Sequence, residues 1–253
     1  MLELLGLPVA ASAHAGDIDR IVVVVHGLML ALFVGWSVFF AYVLVRFRRG
    51  RQPKASYRGL RGRWATWIEG GVLVAEVVLL AFFSIPAWSA RVDTFPREQQ
   101  STVVRVVAEQ FAWNIHYPGA DRRFGRTALQ LVTLENPLGL DANDPAGRDD
   151  ITTVNQLHLP VDRPAIVYLS SNDVVHSFAL PQMRVKQDAV PGLVQPVWFT
   201  PTRIGDWEIV CSQLCGLAHY RMKGFYTIEA PNDYEAWLKA EAAANVSDAV
   251  VSP

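Results

Sequence analysis

The sequence predicts a two-helix transmembrane hairpin, then an all-β sandwich or barrel domain, then a short C-terminal helix. Three observations carry this. Ile21–Val45 is 25 residues long and holds no charged residue. At about 1.5 Å per residue it reaches roughly 37 Å, enough for a ~30 Å hydrocarbon core with some tilt. A second apolar run extends from Trp67 to Trp88. Past Thr102 the apolar period changes from helical to two, as in Phe111, Trp113, Ile115 and Tyr117. A chain of 253 residues has room for one or two domains. A net charge of −1 excludes a bulk polyelectrolyte attraction to nucleic acid. Two cysteines cannot make a disulfide framework for a domain of this size.

Residues 1–16 faintly resemble a secretory leader, with small residues at Ala13 and Ala15 where cleavage would fall. Glu3, however, stands where a cation belongs. The segment is expected to be a short apolar arm on the outer face. The first span follows over 21–45; His26 in it is expected to be interfacial or internally bonded, not a ligand. Residues 46–63 carry Arg46, Arg48, Arg49, Arg51, Lys54, Arg58, Arg61 and Arg63 and no acid. The positive-inside bias makes this loop cytoplasmic and puts both termini on the other side. Trp64, Trp67 and Trp88 sit where an aromatic belt would. Glu69 and Glu76, in the second span over 67–88, fall on nearly one helix face. Carboxylates there are costly unless they face protein or water, so they imply a partner subunit, and Glu69 is a candidate for its proton path.

Residues 1–100 are thus expected to be the membrane anchor, 101–231 the β domain and 232–253 a C-terminal helix and tail. Short strands are expected at Phe111–Tyr117, Leu129–Leu134, Ala165–Leu169, Val174–Leu180, Val194–Phe199, Trp207–Cys211 and Gly224–Glu229, with turns such as Tyr117-Pro118-Gly119 and Pro191-Gly192 between them. Asn136–Asp150 reads as an acidic, Pro/Gly-rich solvated loop. Asn232 can cap a helix over Asp233–Ala244, whose Tyr234, Trp237 and Leu238 form an apolar face; Asn245–Pro253 is expected to be a loose tail.

The chemistry concentrates in Cys211-Ser212-Gln213-Leu214-Cys215-Gly216-Leu217-Ala218-His219-Tyr220-Arg221-Met222, a C-x3-C-x3-H-x2-M pattern holding both cysteines. Thiolate, thioether and imidazole together suit copper. A second imidazole is available at His176, in Asp173-Val174-Val175-His176-Ser177-Phe178. Two thiolates on one loop can bridge two metal ions, completed by His176 and His219. Met222 would be a weak axial ligand on one ion and a backbone carbonyl, that of Gln213, would serve the other. Two coppers sharing two sulfurs delocalise one electron, so neither changes geometry much on reduction, which suits electron transfer. On spacing alone a disulfide, a structural zinc site and a pair of core thiols stay open as well. A disulfide leaves His176, His219 and Met222 unexplained, and zinc has no use for the methionine.

These residues resemble those of subunit II of haem–copper cytochrome c oxidases, the subunit that carries the binuclear copper A centre. The family's C-S-E-L-C-G-x-x-H-x-x-M pattern appears as Cys211–Met222, its D-V-x-H-S-[WF] as Asp173–Phe178, and its K-x-D-A-x-P-G as Lys186–Gly192. The resemblance covers nearly the whole chain. It implies a membrane hairpin and a Greek-key cupredoxin domain on the outer side of a bacterial-type inner membrane. It implies copper A held by His176, Cys211, Cys215, His219, Met222 and the Gln213 carbonyl. It further implies that a c-type cytochrome gives electrons to this centre, which passes them to haem in subunit I, where oxygen is reduced and protons are pumped. No C-x-x-C-H occurs, so no cytochrome c domain is fused to it.

Three departures bear on function. Gln213 replaces the family's glutamate; its carbonyl can still ligate copper, but the carboxylate that helps hold magnesium against subunit I is gone. Gln110-Phe111-Ala112-Trp113 resembles Q-W-x-W, whose first tryptophan is linked to receipt of electrons from cytochrome c. Phe111 stands at that position, which makes Phe111 and Trp113 the candidates. The acid usual near the cytoplasmic start of the second helix is replaced by Trp64, and Glu69 is displaced from it. A membrane-tethered copper or zinc carrier is the alternative function. A copper A domain of nitrous oxide reductase has no need of the hairpin, and a quinol-oxidase subunit II lacks the ligand set.

Overall fold

A computed structural model of the chain describes residues 6–51 and 62–251, with the side chains of the last helix described through Ala244. Lys54, Arg58 and Arg61 of the basic loop lie outside the described residues. The chain forms two compact units, one spanning Asp17–Thr94 and the other combining Phe95–Pro253 with the N-terminal arm up to Gly16.

In the first unit, helix α1 (Ala15–Arg46) starts earlier than the charge-free run, with Asp17 in its first turn and Arg46 in its last. Both charges complement the helix dipole. Helix α2 (Arg63–Leu79) runs through a π turn (Leu80–Ser84) into α3 (Ile85–Val92). Pro86 has no N–H to give, and the chain passes this point with Ile85 N–H reaching back to the Leu80 carbonyl. At 32 and 30 residues, Ala15–Arg46 and Arg63–Val92 are long and apolar enough to cross a membrane. Helices α2 and α3 bury no residue within the chain, as suits helices whose solvent is lipid. His26 Nδ1 lies 2.7 Å from the Val22 carbonyl, so that ring is bonded within its own helix.

The second unit is a two-sheet β sandwich. Its strands are β1 (Thr102–Glu109), β2 (Ala112–Tyr117), β3 (Ile151–Val154), β4 (Gln156–Pro160), β5 (Ala165–Ser171), β6 (His176–Leu180), β7 (Val185–Ala189), β8 (Gln195–Phe199), β9 (Gly205–Cys211) and β10 (Lys223–Glu229). One sheet has the order β3-β2-β1-β5-β8, the other β4-β10-β9-β6-β7. Two pairings are parallel, β1 with β5 and β4 with β10, and the rest antiparallel. In β1 burial alternates strictly, so Val104, Val106 and Ala108 point into the sandwich while Val103, Arg105 and Val107 face outward. Trp113, Ile115, Leu157, Phe178, Ile209 and Tyr226 fill the space between the sheets.

Several expectations need correction. Leu129–Leu134 is not a strand: Leu129–Leu131 is a 3-10 turn, and Leu134 is 97% exposed. Asn136 holds this loop back on itself, bonding the Leu131 and Leu140 carbonyls and the Leu140 N–H. Asp150 does not belong to a solvated loop; it is buried, with Oδ2 2.6 Å from His116 Nε2 and 2.8 Å from the Gly125 N–H. Strands β1, β3, β4 and β7 were not among the runs expected to be strands. Helix α4 (Pro231–Val251) continues through the stretch expected to be a tail.

The arm is a working part of the β domain. Ala11 N–H donates to Gln182, Thr202 N–H to Ala11, and Ser12 Oγ to Met183, all carbonyls, at 2.7–2.9 Å. Ala11 is fully buried in the core cluster. Deleting the chain through Ser12 should orphan these groups and cost about 2–4 kcal/mol, lowering the domain's thermal midpoint by roughly 5–10 °C. Calorimetry checks this, and an unchanged midpoint would make the arm dispensable.

Candidate metal centre

The β9–β10 hairpin carries the loop Cys211–Met222. Its base is closed where Val210 pairs with Lys223 and Cys211 N–H donates to the Met222 carbonyl at 3.4 Å. Strand β6 lies beside β9 with Phe178 opposite Cys211, which brings His176, at the start of β6, to the cysteine thirty-five residues on. Gly216 turns the loop with φ +137°, and a Cβ there would stand 2.5 Å from Gln110 Nε2. Any larger residue would push away the amide that donates to the Cys215 carbonyl at 2.6 Å.

The donor atoms form a chain. Cys211 Sγ and Cys215 Sγ are 3.7 Å apart, His176 Nδ1 is 3.9 Å from Cys211 Sγ, and His219 Nδ1 is 3.5 Å from Cys215 Sγ. Met222 Sδ lies 3.6 Å from Cys215 Sγ, and the Gln213 carbonyl 3.2 Å from Cys211 Sγ. A disulfide needs about 2.05 Å, so both cysteines are free thiols. A metal–sulfur bond of about 2.3 Å gives tetrahedral edges of about 3.7 Å, which these spacings match. His176, Cys211 and Cys215 form a buried group with donor atoms within 4.8 Å of one another. His219 joins it through Cys215, on the far side of the sulfur pair. His176, Cys211, Cys215 and Met222 are all at most 5% exposed.

Two residues that sequence reasoning passed over hold the ligands in place. Asp173 Oδ1 accepts from His176 Nε2 at 2.9 Å, which sets the ring with Nδ1 toward Cys211. Gln110 ties Asp173 to the loop: its N–H donates to Asp173 Oδ2 at 2.7 Å while its side-chain amide bonds the Cys215 carbonyl. The signal for Asp173 was its place three residues before His176 in the Asp-Val-Val-His run.

Of the two candidates for receiving electrons, Trp113 is fully buried, packed edge-on against His176 and Phe178 at centroid distances of 6.2 and 5.5 Å. No partner surface can touch it. Phe111 is the partly exposed one, and its ring lies against Gly216. The Gln213 side chain is exposed.

The protein alone splits the two thiols. Burial opposes ionisation of Cys211, but hydrogen bonds from His176 and the Ser177 N–H bring it down to about 6. Burial and the adjoining Cys211 push Cys215 up to about 11. Burial disfavours a charged His176, yet its bonds to Cys211 and Asp173 outweigh that and raise its pKa. A bound ion must displace these protons. Log affinity for a soft metal should therefore rise by at least one per pH unit while Cys215 is protonated, below about 11. Below about 6 Cys211 adds a second proton and steepens the slope. Competitive metal titrations at several pH values measure this; a flat profile would remove the thiols from the ligand set.

The chain is similar to known proteins. The sequence profile of the cytochrome c oxidase subunit II periplasmic domain matches residues 102–227. The alternative cytochrome c oxidase subunit 2 of Bradyrhizobium diazoefficiens is 35% identical over 89% of this chain and 80% of its own length. The cytochrome c oxidase subunit 2 proteins of Cereibacter sphaeroides (27% identity, 92% of this chain, 77% of that one) and Synechocystis (26%, 94% and 76%) match as well. A crystal structure of the periplasmic domain of cytochrome oxidase subunit II from Bradyrhizobium japonicum covers 60% of this chain and 99% of that one, at 25% identity and a TM-score of 0.44. With two membrane-length helices, a cupredoxin-type sandwich and close sequence relatives throughout, the chain belongs to the cytochrome c oxidase subunit II family.

Proposed function

We propose that the chain is the electron-accepting subunit of a proton-pumping haem–copper oxidase, taking electrons from a c-type cytochrome and handing them to haem in subunit I. The observation that carries this is the order of the donors: imidazole, thiol, thiol, imidazole, with the sulfurs 3.7 Å apart. One tetrahedral ion needs all its donors mutually close, and the compact group contains His176 but leaves His219 out. Two ions sharing the sulfurs use both rings. His176, Cys211, Cys215, His219, Met222 and the Gln213 carbonyl are the proposed holders of copper A. Bound there, it supplies a one-electron carrier whose charge is spread over two ions.

The chain's own groups support fast transfer. Asp173 fixes the His176 ring, the β6–β9 pairing fixes its distance from Cys211, and burial keeps water from the sulfurs. Leu214, Leu217 and Tyr220 are 77%, 99% and 82% exposed on the same loop. Apolar surface of this kind suits a protein partner, and Phe111 beside it is the proposed point of arrival for electrons. Gln213 offers no carboxylate for a magnesium ion at the subunit I boundary. The proposed placement is a bacterial inner membrane, with residues 1–100 as the anchor region, the basic loop inside, and the copper domain of 101–231 with the C-terminal helix outside.

Metal analysis and paramagnetic resonance of the purified complex test the proposal. Two coppers per chain with a mixed-valence signal are expected from this domain. One zinc and no copper would overturn it in favour of a metal carrier.

A further inference from the structure

A cavity of about 950 Å³ opens on the outer face of the β3-β2-β1-β5-β8 sheet, where residues of the 118–138 loop and of helix α4 also line it. That volume is in the range of small-molecule sites. None of the copper ligands lines it. Arg105, Arg122 and Arg163 border it, as do Glu98 and Glu235. Arg105 projects from the outward side of β1, half-buried, with its guanidinium 4.1 Å over the Phe124 ring. Phe124 in turn stands edge-on to buried His116 at 4.9 Å.

What these guanidiniums lack is an acceptor. Neither Arg105 nor Arg163 makes a hydrogen bond or salt bridge to any described residue; Arg122 has one long contact, Nη1 to the Gln99 carbonyl at 3.5 Å. Among the nearby acids, Asp150 acts on Arg105 only through space, and Glu98 and Glu235 share the cavity wall without bonding it. Asp150 accepts from His116 Nε2 and from the Gly119 and Gly125 N–H groups. Glu98 accepts from Tyr168 Oη, and Glu235 is exposed on α4. A guanidinium has five donors in a fixed fork, and leaving them unmet in a half-buried place is costly. Burial already lowers the Arg105 pKa, a sign that its charge is partly stripped of water. The same fork, held flat by an aromatic ring, matches a carboxylate or phosphate. Val103, Val107, Leu138 and Leu238 give the rest of the cavity an apolar wall.

We propose that this cavity binds an organic anion with a short apolar tail, of the alkyl phosphate or alkanoate class, its head on Arg105 and its tail along Val103 or Val107, which flank Arg105 on the same face of β1. That chemistry is shared by a free amphiphile and by the headgroup end of an anionic phospholipid.

The test uses the full chain in its purified complex, held in discs of zwitterionic lipid. Equilibrium dialysis with radiolabelled octyl phosphate should show saturable binding, and Arg105→Gln should weaken it at least ten-fold with the thermal unfolding transition in place. Arg105→Lys, which keeps the charge but loses the planar fork, serves the same purpose should Arg105→Gln fail to fold. If octyl phosphate does not bind but added phosphatidylglycerol is retained in native mass spectra, and lost in either variant, the ligand is a lipid headgroup. Absence of saturable binding of both probes up to millimolar concentration, or equal binding by the folded variants, overturns the proposal. Copper content does not enter these measurements, so they succeed or fail independently of the electron-transfer function.

Discussion

Cys215→Ser is expected to abolish copper retention, the mixed-valence signal and the oxidation of reduced cytochrome c, leaving both membrane-length helices inserted. Cys215 ties His219 and Met222 to the rest of the donor chain. Its sulfur is within 3.5–3.7 Å of Cys211, His219 and Met222, while Cys211 meets His176, the Gln213 carbonyl and Cys215. A hydroxyl is a hard, weakly acidic donor that cannot bridge soft ions as a thiolate does. With that atom gone, His219 and Met222 lose their shared neighbour and the two halves of the site come apart. Metal analysis, resonance and steady-state turnover of the variant complex measure this directly. Normal turnover with two coppers bound would refute the site.

The second large effect is expected from Trp113→Ala. Trp113 is fully buried between the sheets, and the rings of His176 and Phe178 both stand edge-on to it. A Cβ on Gly224 would already approach its ring to 3.2 Å, so the space around it is filled. Emptying this volume should cost about 3–5 kcal/mol, a fall of roughly 10–15 °C in the domain's midpoint. It also removes the wall behind the His176 ring, so copper should be lost at lower temperature than the fold. Trp113→Phe keeps most of the contact and should recover more than half of the stability. A shift under about 1 kcal/mol for the alanine variant would contradict this packing.

The ligand loop was legible because metal chemistry demands particular atoms at particular spacings. Cys211, Cys215, His219 and Met222 come from one short stretch, and the hairpin closes around it as its turn residues suggest. His176 was legible only through the run that precedes it. What the sequence concealed was the support. Gln110 looks like any polar residue at a strand end, and its bond to the Cys215 carbonyl exists only once the end of β1 and the Cys211–Met222 loop meet. Strand β7, Val-Lys-Gln-Asp-Ala, buries just its two ends, so its composition resembles a loop. Leu129–Leu134 erred the other way: an apolar run that no partner strand accepts. Trp113 became a candidate for receiving electrons through the resemblance to Q-W-x-W, although its apolar alternation with Ile115 and Tyr117 already set it on the inner face of its strand.

The pairing of β1 with β5 and of β4 with β10 sets a timetable. Thr102 lies beside Ala165 and Gln156 beside Phe225, so both sheets need ends of the chain that are synthesised far apart. Topologies dominated by such distant partners fold in milliseconds to seconds. His176 and the cysteine pair meet only when β9 docks on β6. Until then two reduced sulfurs travel unguarded, and in an oxidising compartment they would be open to a covalent bond with each other.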